Sequence, residues 1–293
     1  MNSTKAMGRE SRVNTILEQE GKNFRIQYQT IWKNNREVEQ YILKEGDSCV
    51  AMAVRYQQEW DEISDRDIIS ELEKLLEENE IPEIHPDGVM SKQKIKEMVR
   101  AKVVSIRNER ILKKKGITYL PFLDMAVLFS VPVGKLSNGE LNLQINDGII
   151  ETLQLSKEEL LEDAIRNMSN EVQIIPMGSV LGEMMKGDNM PEQILEEVPM
   201  WILTNPDQSN GAAVLICPEA RKKIEALEKE QKMRLAIIPS SIHECLLFPL
   251  KNEDDLEKYA VMVNEVNQTA VSPEEQLTEN VYYLENGELR SYR

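Results

Sequence analysis

The stretch that decides the fold is Phe122–Val133, FLDMAVLFSVPV, a nearly unbroken apolar run between Pro121 and Gly134. A run of this length and composition predicts one buried strand. Asn138-Gly139 follows, and this dipeptide is the strongest short signal for a two-residue hairpin turn. Residues 140–145 then alternate between apolar and polar, which predicts the returning strand.

A helix follows this predicted hairpin. Ser156 and Glu159 form a capping-box pattern, and the apolar residues after them recur at helical spacing. The same order is predicted at 200–231, with strands over Met200–Leu203 and Gly211–Cys217 and a helix that begins at Pro218. The chain therefore shows a possible duplicated strand-strand-helix unit.

The flanking regions predict further strands and helices. Near the N-terminus, strands at Phe24–Tyr28, Val38–Leu43 and Cys49–Val54 precede a helix capped by Ser64 with Asp67 at its third position. Near the C-terminus we predict strands over Arg234–Pro239 and His243–Phe248, a helix start at Ser272-Pro273-Glu274-Glu275, and a terminal hairpin at Asn286-Gly287.

This element order predicts the fold class and four segments. Hairpins followed by helices favour an α+β fold of antiparallel sheets with helices packed on one face. The segments are a flexible N-terminus (1–20), a strand-rich unit that ends in a helix (21–82), a middle unit (83–169) and a C-terminal unit (170–293).

Composition indicates a soluble cytoplasmic protein. The 293 residues are 41% hydrophobic, and no apolar run approaches the length of a membrane span. Residues 1–20 contain no apolar core of a secretory signal. The cysteines Cys49, Cys217 and Cys245 are sparse and odd in number, which suits a reducing compartment rather than a disulfide framework.

The net charge of −16 disfavours general binding to nucleic acid, because an acidic surface repels phosphate. One basic island interrupts this acidity, since residues 101–120 hold six basic residues and one acidic residue. It is either a solvated face that docks on the protein's own acidic groups or a nucleic-acid contact through Arg107, Arg110, Lys113, Lys114 and Lys115.

The strongest concentration of reactive side chains is Ser240-Ser241-Ile242-His243-Glu244-Cys245. Hydroxyl, imidazole, carboxylate and thiol groups lie here at one predicted strand–turn–strand corner. A nucleophile requires a base within hydrogen-bond distance, and known triads gather their members from distant segments. The alternative is a polar turn whose serines satisfy backbone groups, with Cys245 in the core.

Other chemistry has weaker support. Asp124 lies within the predicted apolar strand, where a carboxylate needs a partner or a function. Cys217 precedes a helix, which could lower its pKa, although a buried inert thiol is the alternative. Two histidines and no CxxC spacing predict no metal site, and the glycines at 178, 182 and 187 match no nucleotide loop, so we predict no cofactor.

Methionines concentrate at positions 177, 184, 185 and 190. Methionine is flexible and polarisable, so such a segment suits either an adaptable groove for a partner or core filling.

Four motifs of the chain are distinctive: Pro121–Val127, Trp201–Asn205 with Gly211-Ala212-Ala213, Ile238–Glu244, and Val281-Tyr282-Tyr283 after Ser272–Glu275. With these motifs the chain resembles an uncharacterised domain-of-unknown-function family of Gram-positive gut anaerobes and their mobile elements. The resemblance covers roughly residues 20–293 and implies a cytoplasmic bacterial protein, but it carries no assigned reaction and transfers no catalytic residue.

Three functions remain open from the sequence. The first is a non-catalytic cytosolic protein that binds or regulates another protein. The second is a hydrolase or transferase that uses Ser240, Ser241, His243 or Cys245, with Asp124 as a further acid. The third is an acidic nucleic-acid mimic that acts on a DNA-handling protein.

Overall fold

The computed structural model describes residues 3–46, 51–79, 91–136, 139–184, 199–252 and 254–292. It divides into two compact units, Met1–Lys94 with Pro132–Leu143 and Ile95–Val131 with Gln144–Arg293. Each unit joins residues that are distant in sequence, and the four-segment division stays a prediction.

The first unit is built on a three-stranded antiparallel sheet in the order β1-β2-β3. Phe24 opposes Glu45 at one end of the β1–β2 pair and Lys33 opposes Arg36 at the other, which confirms the first predicted strands. The elements are α1 (Ser3–Gln19), β1 (Phe24–Lys33), β2 (Arg36–Glu45), β3 (Met52–Arg55), a 3-10 turn (Gln58–Asp61) and α2 (Asp65–Glu78).

Most of the N-terminal segment 1–20 forms α1. Ala6, Val13 and Leu17 are at most 1% exposed and recur on one face of this helix, at spacings of seven and four residues. Polar residues between them hide this stripe in a reading of composition alone. Burial of the stripe against the sheet is what orders the segment.

Side chains of α1 also bind the outer edge of β1. The Asn14 amide donates to the Ile26 carbonyl at 2.8 Å and accepts from the Ile26 N–H at 2.9 Å. The Tyr28 N–H donates to the Glu10 carboxylate at 2.9 Å. These bonds satisfy backbone groups that a strand edge would otherwise leave to solvent.

An ion-paired arginine lies in the core of the first unit. Arg9 is 9% exposed, donates to the carbonyls of Trp60 and Ile63, and pairs with Asp65 at 2.9 Å. Trp60 stacks on Tyr41 with a centroid distance of 6.0 Å. The core therefore combines aromatic packing with a charge that depends on its partners.

Strand register sorts the charges of this sheet by face. Because strand residues alternate between faces, the core-facing side of the sheet includes Glu37, Glu39 and Glu45, whereas the basic residues lie on the opposite face. Among the described strand residues, the outer face therefore carries only basic charges, all exposed: Arg25, Lys33, Arg36, Lys44 and Arg55.

The second unit contains a six-stranded antiparallel sheet in the order β13-β12-β10-β11-β9-β8. In another sheet β6 lies between β4 and β5 and also pairs with β7, and the end of β6 and most of β7 belong to the first unit. The strands are β4 (Arg100–Ser105), β5 (Tyr119–Phe122), β6 (Met125–Leu136), β7 (Gly139–Gln144), β8 (Gln173–Pro176), β9 (Trp201–Thr204), β10 (Arg234–Ile238), β11 (Cys245–Leu250), β12 (Val281–Glu285) and β13 (Glu288–Tyr292).

Helices separate some of these strands along the chain. Residues of α3 belong to both units. The helices are α3 (Lys92–Met98), α4 (Glu109–Lys114), α5 (Asp147–Leu153), α6 (Lys157–Met168), α7 (Met177–Met184), α8 (Pro218–Gln231) and α9 (Asp254–Thr269), with 3-10 turns at Ile106–Asn108, Ser169–Glu171 and Gly211–Ile216. The α+β class with antiparallel sheets is thus confirmed.

The six-stranded sheet is covered on both faces at its centre. Leu235, Ala236, Ile237 and Ile238 of β10 are at most 2% exposed, although consecutive strand residues point to opposite faces. Ala236 and Ile238 pack with α9. Helix α8 and the buried 3-10 turn at 211–216 pack with this sheet as well.

The long apolar run at 122–133 is not a single strand. Phe122 opposes Met125 across the β5–β6 pair, so Leu123 and Asp124 form a two-residue turn. Leu123 has φ 55°, which is uncommon for a bulky residue, and hydrophobicity alone gives no sign of it. Asp124 is therefore a turn residue rather than a residue inside a strand.

The predicted strand over Gly211–Cys217 is wrong. Residues Gly211–Ile216 form a 3-10 turn in which every residue is buried. A short apolar run is compatible with either a strand or a buried helix, and length does not separate them here. The second copy of the strand-strand-helix unit is therefore absent, since β9 pairs with β8 and β11 instead.

The predicted helix start at Ser272–Glu275 is a single turn, in which Glu275 N–H donates to the Ser272 carbonyl at 2.8 Å. The terminal hairpin and both capping boxes, at Ser64 and Ser156, are confirmed. Asn138 and Cys49 lie outside the described residues. None of the described helices is both long enough and apolar enough to cross a membrane.

Candidate functional site

The polar corner predicted from the sequence lies between two paired strands of the six-stranded sheet. β10 ends at Ile238 and β11 begins at Cys245, so residues 239–244 form the connection. Ile238 opposes Leu246 in the register, which brings both ends of the connection together. Ile242 N–H donates to the Glu275 carbonyl at 2.9 Å, which ties the corner to the turn after α9.

The two serine hydroxyls of the corner both donate to Glu244. Ser240 Oγ lies 2.8 Å and Ser241 Oγ 2.9 Å from the same carboxylate oxygen, Oε1. The His243 N–H donates to Ser241 Oγ at 3.0 Å. The hydroxyls therefore shape the turn and orient a carboxylate, as expected for serine in a polar turn.

The His243 imidazole is held by backbone on another segment. Its Nδ1 accepts the Asn210 N–H at 3.3 Å, which in the neutral ring places the proton on Nε2. A histidine that activates serine must accept the hydroxyl proton. In the described structure the Ser240 and Ser241 hydroxyls bind Glu244 instead, so the corner has no serine–histidine hydrogen bond of a hydrolytic triad.

A close backbone approach fixes the position of His243. Thr204 Oγ1 donates to the His243 carbonyl at 2.9 Å, and Ala212 N–H donates to the Ile242 carbonyl at 3.3 Å. A Cβ on Gly211 would lie 2.1 Å from Thr204 Oγ1 and 2.5 Å from the His243 oxygen. Only glycine fits between these groups, so the 3-10 turn locks the corner against β9.

The corner forms one wall of an open groove of about 650 Å³ within the second unit. The floor includes Ile202 and Leu246, which oppose each other on β9 and β11. Residues that follow α9 supply another wall. The described lining residues are Met177, Ile202, Gln208, Ser240, Ser241, His243, Glu244, Leu246, Ala270, Val271 and Glu275.

The sequence places Ser240, Ser241 and His243 at this site but misses its distant contributors. Gln208, Val271 and Glu275 come from segments that showed no reactive pattern, and the break of the predicted helix at Ser272 exposes Glu275 to the groove. Of the methionine-rich stretch, Met177 lines the groove, whereas Met185 and Met190 lie outside the described residues.

The described cysteines are buried thiols separate from the groove. Cys245 is 0% exposed, and desolvation raises its pKa far above the ordinary thiol value. Desolvation also raises the pKa of Cys217 to about 11, despite its place before α8. A thiol must ionise to act as a nucleophile, and the burial of both cysteines opposes that ionisation. No cluster of three or more metal-binding side chains occurs among the described residues.

Asp124 belongs to a different polar cluster of the second unit. Its carboxylate accepts hydrogen bonds from Thr278, Tyr282 and Asn280, the last at 2.9 Å. Tyr282 is fully buried and Thr278 is 6% exposed. Three donors on one carboxylate join Tyr282 of β12 and the segment before that strand to the β5–β6 turn, and Asp124 is not among the described lining residues of the groove.

Part of the basic island pairs with the protein's own carboxylates. Arg107 binds Glu279 at 2.7 Å, and Lys113 binds Glu109 at 2.8 Å. These ion pairs involve two of the five residues named for a nucleic-acid contact, and that contact stays a prediction.

The chain is thus an α+β protein of two compact units, and its second unit contains a groove with polar walls. The chain belongs to the Family of unknown function (DUF5688), whose model matches residues 10–286. This match confirms the resemblance to a family without an assigned function. No curated protein and no solved structure matches the chain.

Proposed function

We propose that the protein is a non-catalytic, cytoplasmic binding protein that holds a segment of another protein in the groove. The observation that carries this proposal is the hydrogen bonding of the corner. Ser240 and Ser241 are committed to Glu244, and His243 is committed to the Asn210 N–H. The serine hydroxyls therefore hold Glu244 in place, and neither donates to the His243 imidazole as a serine–histidine triad requires.

The shape of the groove supports the same function. It is open rather than closed, it combines an apolar floor with polar walls, and its volume of about 650 Å³ falls within the range of ligand sites. The cytoplasmic location is supported by Cys217 and Cys245, which are free thiols without a disulfide.

The acidic-mimic alternative has less support. A mimic of nucleic acid requires a continuous acidic surface that competes for a basic groove. The outer face of the first sheet instead presents exposed Arg25, Lys33 and Lys44. A mixed surface of this kind does not reproduce the uniform charge of a phosphate backbone.

Position-specific photo-crosslinking tests the binding function. A photoreactive amino acid replaces Gln208, which lines the groove, or Gln268, which is exposed on α9 outside it. In lysate of a Gram-positive gut anaerobe, the source that the family resemblance implies, we expect a distinct crosslinked protein from position 208 only. The same products from both positions, or none, would contradict the proposal.

A fluorophosphonate probe tests the hydrolase alternative on the same protein. We expect no labelling of Ser240 or Ser241, because both hydroxyls donate to the Glu244 carboxylate and neither donates to the His243 imidazole. Labelling that disappears in Ser240→Ala or Ser241→Ala would replace the binding function with a hydrolase.

A further inference from the structure

The groove has an uneven distribution of charge. Among its described lining residues, Glu244 and Glu275 carry charge and there is no lysine or arginine. The chain contains 35 basic residues, so this composition reflects placement rather than scarcity. A groove with two carboxylates and no cation attracts a positively charged ligand.

Both carboxylates are carried on backbone that hydrogen bonds hold in place. Ser240 and Ser241 bind Oε1 of Glu244, and no described donor binds its other oxygen. Glu275 lies in a turn that its own N–H closes onto Ser272, and its carbonyl accepts the Ile242 N–H. Ile242 is two residues from Glu244, so these bonds join the two acidic segments side by side. Preorganised acceptors of this kind bind ammonium or guanidinium groups well.

Apolar side chains lie beside the carboxylates. Ile202 and Leu246 on the floor and Val271 on the wall are each partly exposed. Lysine and arginine side chains bury an apolar stem while their charged end remains with polar partners. The groove offers both environments in one place.

We infer that the groove binds a protein segment in which lysine or arginine is flanked by apolar residues. This inference rests on the proposed function and names the partner chemistry of the same site. The volume of about 650 Å³ exceeds the needs of one side chain, so a short stretch of chain, rather than a lone amine, is the occupant. The net charge of −16 accelerates the approach of such a segment.

Three matched peptides test this inference on the full-length protein. The fluorescent peptides share leucine and serine residues on either side of two central positions. Both central positions hold lysine in the first peptide, glutamine in the second and glutamate in the third. Binding is measured by fluorescence anisotropy near physiological salt, because salt at that concentration screens general charge attraction. We expect the lysine peptide to bind roughly tenfold more tightly than the glutamine peptide, and the glutamate peptide not to bind.

Two double variants separate the groove from the overall acidity. Glu244→Gln with Glu275→Gln removes the groove charges and keeps a carbonyl acceptor for the serines. Glu257→Gln with Glu265→Gln removes two exposed charges of α9 outside the groove. We expect the groove variant to weaken the lysine peptide roughly tenfold, and the α9 variant to change it less than twofold.

The contrary results are distinguishable. Equal loss in both double variants would show general charge attraction and overturn the cationic preference, while groove-specific crosslinking from position 208 would preserve the binding function. Equal binding of the lysine and glutamine peptides would also overturn the preference. Failure of the crosslinking itself would overturn the function on which the inference rests.

Discussion

The two units of the protein complete their sheets differently. In the first unit, helices cover one face of three strands, Asn14 and Glu10 satisfy the edge of β1, and Arg9 joins the core through an ion pair. In the second unit, β10 is apolar and buried on both faces. The comparison teaches that the first unit depends on a few polar contacts, whereas the second depends on distributed packing and close backbone fit.

The largest expected effect tests the dependence of the first unit on Arg9. Arg9→Leu removes the donor to two carbonyls and leaves Asp65 with Arg12 alone, so we expect a loss of about 3–5 kcal/mol of unfolding free energy. Hydrogen exchange should rise in peptides from residues 3–79 and not in 199–252. Arg66→Leu is the control, because the ion pair of Arg66 is exposed. An equal rise in hydrogen exchange in both units of Arg9→Leu would contradict the prediction.

Gly211→Ala tests the close backbone fit of the second unit. The added methyl group would meet Thr204 Oγ1 and the His243 carbonyl, so we expect a destabilisation of about 2–3 kcal/mol measured by urea unfolding. Exchange should increase at 199–252, and crosslinking from position 208 should fall. Gly8→Ala provides the control, since no atom lies within 4 Å of its Cβ position. An unchanged urea midpoint for Gly211→Ala would show that the fit is not tight.

Asn14→Ala tests the contribution of edge bonding to the first sheet. The change removes two hydrogen bonds to Ile26, and we expect a loss of about 1–2 kcal/mol. Thermal unfolding reports the loss, and exchange at the Ile26 amide locates it. Asn264→Ala on the exposed side of α9 should have little effect by comparison. Stability equal to that of wild type would mean that solvent replaces the Asn14 bonds without cost.

Acid titration tests the Asp65 ion pair of the first unit and should give the smallest effect. The hydrogen bond and charge of Arg12 lower the pKa of Asp65 in the folded state. This carboxylate therefore stabilises the first unit fully above the unfolded value of about 4, and the contribution disappears as pH falls through the lower folded value. Asp65→Asn should flatten the loss of stability between pH 5 and about 3, seen by denaturant unfolding. Glu62→Gln, which alters an exposed carboxylate, should retain the wild-type slope.

The sequence predicted elements whose signals are local. The Ser64 and Ser156 capping boxes and the Asn286-Gly287 turn follow from adjacent side chains and backbone preferences, and all three are present. The prediction of elements was wrong where an apolar run contains a change of backbone geometry. The turn at Leu123 and the 3-10 turn at 211–216 both consist of residues that suit a strand equally well.

The groove was only partly predictable for a related reason. Its corner is contiguous, so Ser240, Ser241 and His243 could be placed together from the chain alone. Gln208 and Glu275 reach the groove only after β9, β11 and the turn after α9 come together. Cys245 follows the corner directly, yet strand alternation directs its side chain into the core and away from the groove residue Leu246.

The bonds from α1 to β1 have a practical consequence for any shortened form of the protein. The first twenty residues look dispensable by composition, and removing them would uncover the Ile26 and Tyr28 backbone groups along a ten-residue strand. An unprotected edge of that length recruits strands from neighbouring molecules and drives aggregation. The helix thus prevents intermolecular sheet growth, and a protein shortened by deletion of residues 1–19 would be insoluble.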